Sequence, residues 1–116
     1  MTGRLVLVDD DVATLEVLKE MVTSWGLQPD AFSTFEEART SLLAETADVL
    51  VVDVRLGAFN GLHLAHIARL RNPKMMVIAV SGFDDPVLRA EAAGIGAAYL
   101  VKPIEIARLR EILLGE

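Results

Sequence analysis

Four short runs of the chain are apolar at every position: Leu5 to Val8, Val49 to Val52, Met76 to Val80 and Ala98 to Val101. A strand with one wet face alternates apolar and polar residues, so runs without alternation predict strands covered on both faces, as in a parallel sheet between layers of helix. A weaker run, Asp30 to Ser33, predicts a shorter strand nearer an edge. Between these runs the apolar period changes to three and four. Val12, Leu15, Leu18, Met21, Val22 and Trp25 line one side of a first helix, and Gly26 follows where a left-handed cap belongs. Thr34-Phe35-Glu36-Glu37 has the form of a capping box, in which the threonine hydroxyl accepts from an orphan amide and Glu37 reaches back to the amide of the cap residue. Gly61 leads into a third helix, Leu62 to Arg71, closed by Asn72-Pro73. Asp85-Pro86 opens a fourth that ends at Gly94, and Pro103 opens a fifth that runs to about Leu114.

Strand and helix therefore alternate five times with short connections. Right-handed crossovers then give an open, five-stranded parallel sheet with helices on both faces, an α/β fold in which ligands lie beyond the carboxyl ends of the strands. The chain has 116 residues, the size of one domain, and shows no repeat, linker or low-complexity stretch, so a single domain over residues 1–116 is expected.

The strand ends carry the polar chemistry. The first strand delivers Asp9, Asp10 and Asp11, the third Asp53, the fourth Ser81-Gly82 and the fifth Lys102-Pro103. Crowded carboxylates raise one another's pKa unless a cation sits among them. The chain has no cysteine, which excludes thiolate-bound zinc, iron–sulfur clusters and thiol catalysis, and leaves oxygen-bound or imidazole-bound ions. A hard divalent ion such as Mg2+, held by one or two carboxylates and retaining waters for a phosphate, suits the donors, with a lysine and a hydroxyl opposite to clamp phosphoryl oxygens. No GxGxxG or GxxxxGK[ST] loop is present, which disfavours dinucleotide and P-loop chemistry. A net charge of −6 argues against direct contact with nucleic acid. The apolar runs are too short to cross a bilayer, and Met1-Thr2-Gly3-Arg4 passes straight into the first strand without a secretory leader, so a soluble cytoplasmic protein with no membrane contact is expected.

Five segments in order, Val8-Asp9-Asp10-Asp11, Val51-Val52-Asp53-Val54-Arg55-Leu56, Asn60-Gly61, Val80-Ser81-Gly82 and Tyr99-Leu100-Val101-Lys102-Pro103, resemble the receiver domain of bacterial two-component response regulators, over essentially the whole chain. The resemblance implies the flavodoxin-like strand order 2-1-3-4-5. It implies that Asp53 is the phosphoacceptor, taking a phosphoryl group from a histidine of a sensor kinase or of a histidine phosphotransfer protein. Mg2+ would be held by Asp9, Asp10, Asp53 and the backbone carbonyl of Arg55. Lys102 would pair with the phosphoryl oxygens across a cis Lys102-Pro103 peptide, Ser81 would hydrogen-bond the attached group, and Tyr99 would be the aromatic switch. The output surface would be helix 4, strand 5 and helix 5, carrying Arg89, Tyr99, Val101, Arg108 and Arg110, where a partner or a second copy binds. The role is that of a regulatory domain, often in transcription control, which catalyses only its own phosphorylation and dephosphorylation. Position 57 is Gly where the family usually has Pro, and position 60 is Asn where Asp is common, which predicts a more mobile loop after Asp53. Arg55 and Phe83, two residues past Asp53 and Ser81, are expected to govern how water reaches the acyl phosphate.

Each residue has a plainer reading. Asp11 reads as the cap of the first helix, Asp53 alone as a loop cap, Lys102 as a solvated lysine and Ser81 as a turn residue. His63 and His66 read as helix-surface residues, and Trp25 and Phe32 as packing residues. Two other classes use a similar frame. An aspartyl-phosphate phosphatase of the haloacid-dehalogenase type carries D-x-D at its nucleophile, where this chain has Arg55, and a flavodoxin-like cofactor module would need a phosphate loop after the first strand.

Overall fold

Leu5, Val6, Leu7 and Val8 are all buried because the first strand lies between two others and under helices on both faces. In the structure, a computed structural model in which residues 3–115 are described, β1 (Leu5–Val8) leads to α1 (Val12–Ser24), β2 (Pro29–Phe32), α2 (Phe35–Ala44) and β3 (Val49–Asp53). A short hairpin of β4 (Arg55–Leu56) and β5 (Phe59–Asn60) follows, then α3 (Leu62–Arg71), β6 (Met76–Ser81), α4 (Pro86–Gly94), β7 (Ala98–Val101) and α5 (Ile106–Leu114). The main sheet is parallel, in the order β2-β1-β3-β6-β7; its five strands in chain order run 2-1-3-4-5, as expected. Met1, Thr2 and Glu116, the ends of the expected single domain and of the segment read as leaderless, lie outside the described residues.

Side chains alternate across a strand, so the continuous runs feed two cores at once. Val6, Val8, Leu50 and Val52 pack with Ala38 and Leu42 of α2 and Leu64, Ala65 and Ala68 of α3. Leu5, Leu7, Val49 and Val51 pack on the other face with Leu15, Leu18 and Val22 of α1 and Leu109 and Leu113 of α5. A smaller cluster of Val54, Leu62, Ala79 and Ala92 seats α4. Truncating a residue shared by a whole layer, such as Leu50, removes about 3 kcal/mol of stability.

Several expectations shift by a few residues. The edge strand β2 begins at Pro29 rather than Asp30 and ends at Phe32. β7 is only half-buried along its length because it is the other edge of the sheet, so its apolar run does not mean cover on both faces. In the capping box, Thr34 Oγ1 accepts from the Glu37 amide at 3.2 Å, but Glu37 accepts from the threonine hydroxyl at 2.9 Å rather than from a backbone amide. Gly26 takes the left-handed position after α1, and α4 ends at Gly94 as expected, with Gly96 in the left-handed position just beyond it. Pro103 does not open α5, which starts three residues later at Ile106; the Lys102-Pro103 peptide is cis. Among the described residues no helix is long and apolar enough to cross a membrane.

Candidate functional site

β1 and β3 are paired in parallel register with Val8 opposite Val52, so the residues that follow them arrive side by side at one edge of the sheet. Asp9 is 1 % exposed and Asp53 7 %. Asp10, one residue further on, is exposed. Ligand-capable oxygens of Asp9, Asp10 and Asp53 lie within 4.8 Å of one another. β6 brings Ser81, buried, and β7 brings Lys102 from the other side, since Val101 is in register with Ser81 and the Lys102 amide donates to the Ser81 carbonyl at 2.8 Å.

The ammonium of Lys102 donates to Asp9 Oδ2 at 2.9 Å and to Asp53 Oδ2 at 3.2 Å. One cation thus faces two buried carboxylates, with a third beside them. Burial, reinforced by the negative charge of Asp9, pushes the Asp53 carboxyl up to about 6, against the opposing pull of Lys102 and of the Arg55 amide. Burial alone would lower Lys102, but its hydrogen bond to Asp9 and the charges of Asp53 and Asp9 outweigh that and raise it. Asp53 is therefore largely ionised at neutral pH, though less completely than an ordinary carboxyl.

Backbone amides fix the carboxylates. Asp9 Oδ1 accepts from the Asp11 amide at 2.9 Å, Asp53 Oδ1 from the Arg55 amide at 3.2 Å, and Asp10 Oδ2 from the Gly57 amide at 3.0 Å. The donor set is all oxygen, carries more negative charge than Lys102 offsets, and is narrow enough for one hard cation to draw together, so the residues fit Mg2+. Asp11 is the N-cap of α1, its Oδ1 accepting from Ala13 at 3.1 Å and Thr14 at 3.4 Å, and these bonds, Thr14's first, hold its carboxyl below the usual range.

Ser81 Oγ accepts from the Phe83 amide at 3.2 Å, and the Phe83 carbonyl accepts from the Tyr99 hydroxyl at 2.7 Å. The Tyr99 ring in turn lies under the Arg89 guanidinium, 4.8 Å from its centroid. Arg55 lies over the exposed ring of Phe83 at 5.0 Å. His63 and His66 are exposed on α3, and no acidic or imidazole partner joins them in a cluster among the described residues.

Two contributors escaped the reading of the sequence as chemistry. A Cβ on Gly61 would fall 2.0 Å from the Asp53 carbonyl oxygen, so only glycine lets α3 start directly beneath the strand end that carries Asp53. Its presence in the Asn60-Gly61 motif was visible, but its reason is a through-space approach. Gly57 was visible only as a departure from the family, and its amide turns out to hold Asp10.

Residues 5–114 match the family model described as response regulator receiver domain. The chain is 33% identical over 109 residues to the alginate biosynthesis transcriptional regulatory protein AlgB of Pseudomonas putida, which takes in 93% of this chain and 24% of that protein. It is 34% identical over 101 residues to the DNA-binding transcriptional regulator NtrC of Klebsiella pneumoniae, 86% of this chain and 22% of that one. The chain spans about a quarter of the length of the curated relatives it matches. Among solved structures, a CheY-like response regulator receiver domain protein from Methanospirillum hungatei superposes with a TM-score of 0.89 at 26% identity, covering 99% of this chain and 93% of that one. The Thermotoga maritima response regulator TrrA in complex with Mg(2+)-BeF has the same fold, with a TM-score of 0.85 at 22% identity and 98% of each chain covered.

Proposed function

The chain belongs to the response regulator receiver domain family, and from that premise we propose that it is one receiver domain, residues 1–116, whose Asp53 accepts a phosphoryl group from a phosphohistidine. The observation that carries this reading is the single Lys102 ammonium shared by buried Asp9 and Asp53, with Asp10 alongside, at the carboxyl ends of three strands. The Asp53 carboxylate is its own nucleophile. It needs no general base, because it is ionised at neutral pH in spite of its raised pKa. As its oxygen bonds to phosphorus the N–P bond breaks, and the histidine nitrogen leaves with the electron pair and takes up a proton. Asp9, Asp10, Asp53 and the Arg55 carbonyl would hold Mg2+, which supplies charge neutralisation at the phosphoryl oxygens. Lys102 shifts from its carboxylate partners toward those oxygens as negative charge gathers there.

The phosphodonor has to cover the rim of the site. The apolar groove that borders Lys102, lined by Ala13, Thr14, Val17, Met21, Pro103 and Ile106, offers a sensor histidine kinase or a histidine phosphotransfer protein a surface on which to seat its helix.

The signal leaves through Ser81. To donate to the attached phosphoryl group its hydroxyl turns from the Phe83 amide, which frees the backbone of Phe83, the residue whose carbonyl accepts from Tyr99. Tyr99 and Arg89 then repopulate, and the face of α4, β7 and α5 changes its affinity for a partner, a second copy or an output domain. The domain is a cytoplasmic switch in a two-component system, frequently coupled to transcription. It binds no nucleic acid and no membrane itself, and catalyses only its own phosphorylation and dephosphorylation.

The test is incubation with a small acyl phosphate or phosphoramidate, read by intact mass. Wild type gains one phosphoryl group only when Mg2+ is present, and Asp53→Asn gains none. Wild type that gains nothing, or gains it equally in a chelator, contradicts the proposal.

A further inference from the structure

The three carboxylates are held in two different ways. Asp9 and Asp53 each take the amide two residues ahead, Asp11 and Arg55, in local Asx turns, and both carboxylates are buried. Asp10 is the exposed one, and its amide donor, Gly57, lies 47 residues away at the tip of the β4–β5 hairpin. An exposed aspartate at a strand end would otherwise sample several rotamers.

The hairpin is pinned on three sides. Leu56 is buried in the core with α2 and α3, Phe59 stacks on Phe35 at the start of α2 with centroids 4.5 Å apart, and Asn60 Oδ1 accepts from the Leu62 amide at 2.9 Å. Gly57 sits at φ +59, a conformation that points its N–H at Asp10 and that proline, with φ near −65° and no N–H, cannot adopt. The family's usual residue at this position therefore could not make this bond. The glycine expected to loosen the loop instead ties a closed hairpin to the acidic cluster.

We propose that Gly57 is a positioning residue for the divalent cation: its amide holds Asp10 Oδ2 at 3.0 Å and so fixes the carboxylate that lies within 4.8 Å of those of Asp9 and Asp53. The proposal rests on the reading of the cluster as a Mg2+ site. Hydrogen-bond donors behind a metal ligand fix its orientation, and their loss weakens metal binding by about 10–100-fold. An exposed ligand of a weakly bound ion places the effect at the low end of that range.

The experiment is Mg2+ titration of the intact chain by calorimetry, together with amide NMR spectra. Gly57→Pro weakens Mg2+ binding about tenfold, whereas Gly57→Ala, which keeps the N–H at the cost of a strained backbone at φ +59, weakens it less. Equal weakening in both variants, or none in Gly57→Pro, overturns the proposal. The amide spectrum is independent of whether the proline variant folds. In Asp10→Ala, without Mg2+, the Gly57 amide proton moves upfield by more than those of Leu56 and Phe59, and the absence of that movement also overturns it. If wild type binds no Mg2+ while the Gly57 resonance does respond to Asp10→Ala, the metal reading itself has failed and the hydrogen bond is structural only.

Discussion

Both edges of the sheet gather carboxylates around one basic residue, and they do opposite things with them. At the amino edge, Arg4 donates to Asp30 at 2.8 Å and to the Glu45 carbonyl at 2.8 Å, reaches the Glu45 carboxylate at 3.7 Å, contacts the Ser41 hydroxyl, and presents its amide to Asp48 at 2.6 Å. The Arg4 side chain is 11 % exposed, whereas those of Asp30 and Glu45 are 54 % and 72 % exposed. There the cation is sequestered and the anions remain in water, so the cluster closes on itself. At the carboxyl edge the anions are sequestered and Lys102 is the more exposed partner. Buried negative charge that a single ammonium leaves incompletely neutralised is what makes one edge a candidate site and the other a structural clasp.

The largest expected contrast comes from removing each cation. Lys102→Met lowers the rate of Asp53 phosphorylation by about 100-fold, the loss of a main electrostatic contact to the transferring group, and costs about 2 kcal/mol of stability in chelator because two buried carboxylates then face each other unpaired. Arg4→Met costs about 1 kcal/mol, since its partners return to water, and leaves phosphorylation unchanged. Chemical denaturation and phosphorylation kinetics on the two variants check both halves. Equal effects on phosphorylation would erase the distinction between the edges.

A smaller effect is read by pH. The folded pKa of Asp53, about 6, lies above its ordinary value of 3.8, so the folded state binds the proton more tightly. Its contribution to stability is fully present below pH 3.8 and is lost as pH rises through about 6. Asp53→Asn, permanently neutral, is therefore about as stable as wild type near pH 4 and more stable at pH 8 by about 2 kcal/mol in chelator. Urea denaturation across that range measures the difference curve, and a flat curve contradicts the burial argument. Mg2+ shrinks the gap at pH 8 by stabilising wild type, through mass action on the folded state.

The smallest effect is kinetic. Arg55 and Phe83, stacked 5.0 Å apart two residues past Asp53 and Ser81, are expected to hinder water at an acyl phosphate, so Phe83→Ala is expected to speed loss of the phosphoryl group about three- to fivefold, worth about 1 kcal/mol in the barrier. Phosphate release from purified phosphorylated protein measures it, and equal rates in variant and wild type sink the idea.

The sheet and the strand-end residues were legible in the sequence because both are written in short-range patterns. Continuous apolar runs of four or five residues mark buried strands, and an aspartate, serine or lysine directly after such a run inherits its position from the strand. What was not legible depends on contacts between distant segments. The half-burial of β7 follows from its place at the sheet edge, the delayed start of α5 from the path of the 102–105 segment, and the Gly57–Asp10 bond from a hairpin four residues long in strand. Gly61 lies between these cases: its identity stood in a motif, while its reason is the 2.0 Å approach that a Cβ would make to Asp53.

If Asp53 is the phosphoacceptor, the phosphoryl group resides on it and on no other carboxylate of the cluster. Reduction of the phosphorylated protein with borohydride converts an aspartyl phosphate to homoserine, which peptide mass spectrometry locates in the sequence. Conversion is expected at position 53 alone, dependent on Mg2+ during labelling. Conversion at Asp9 or Asp10, or a phosphoryl group retained on a histidine such as His63 or His66, would contradict it.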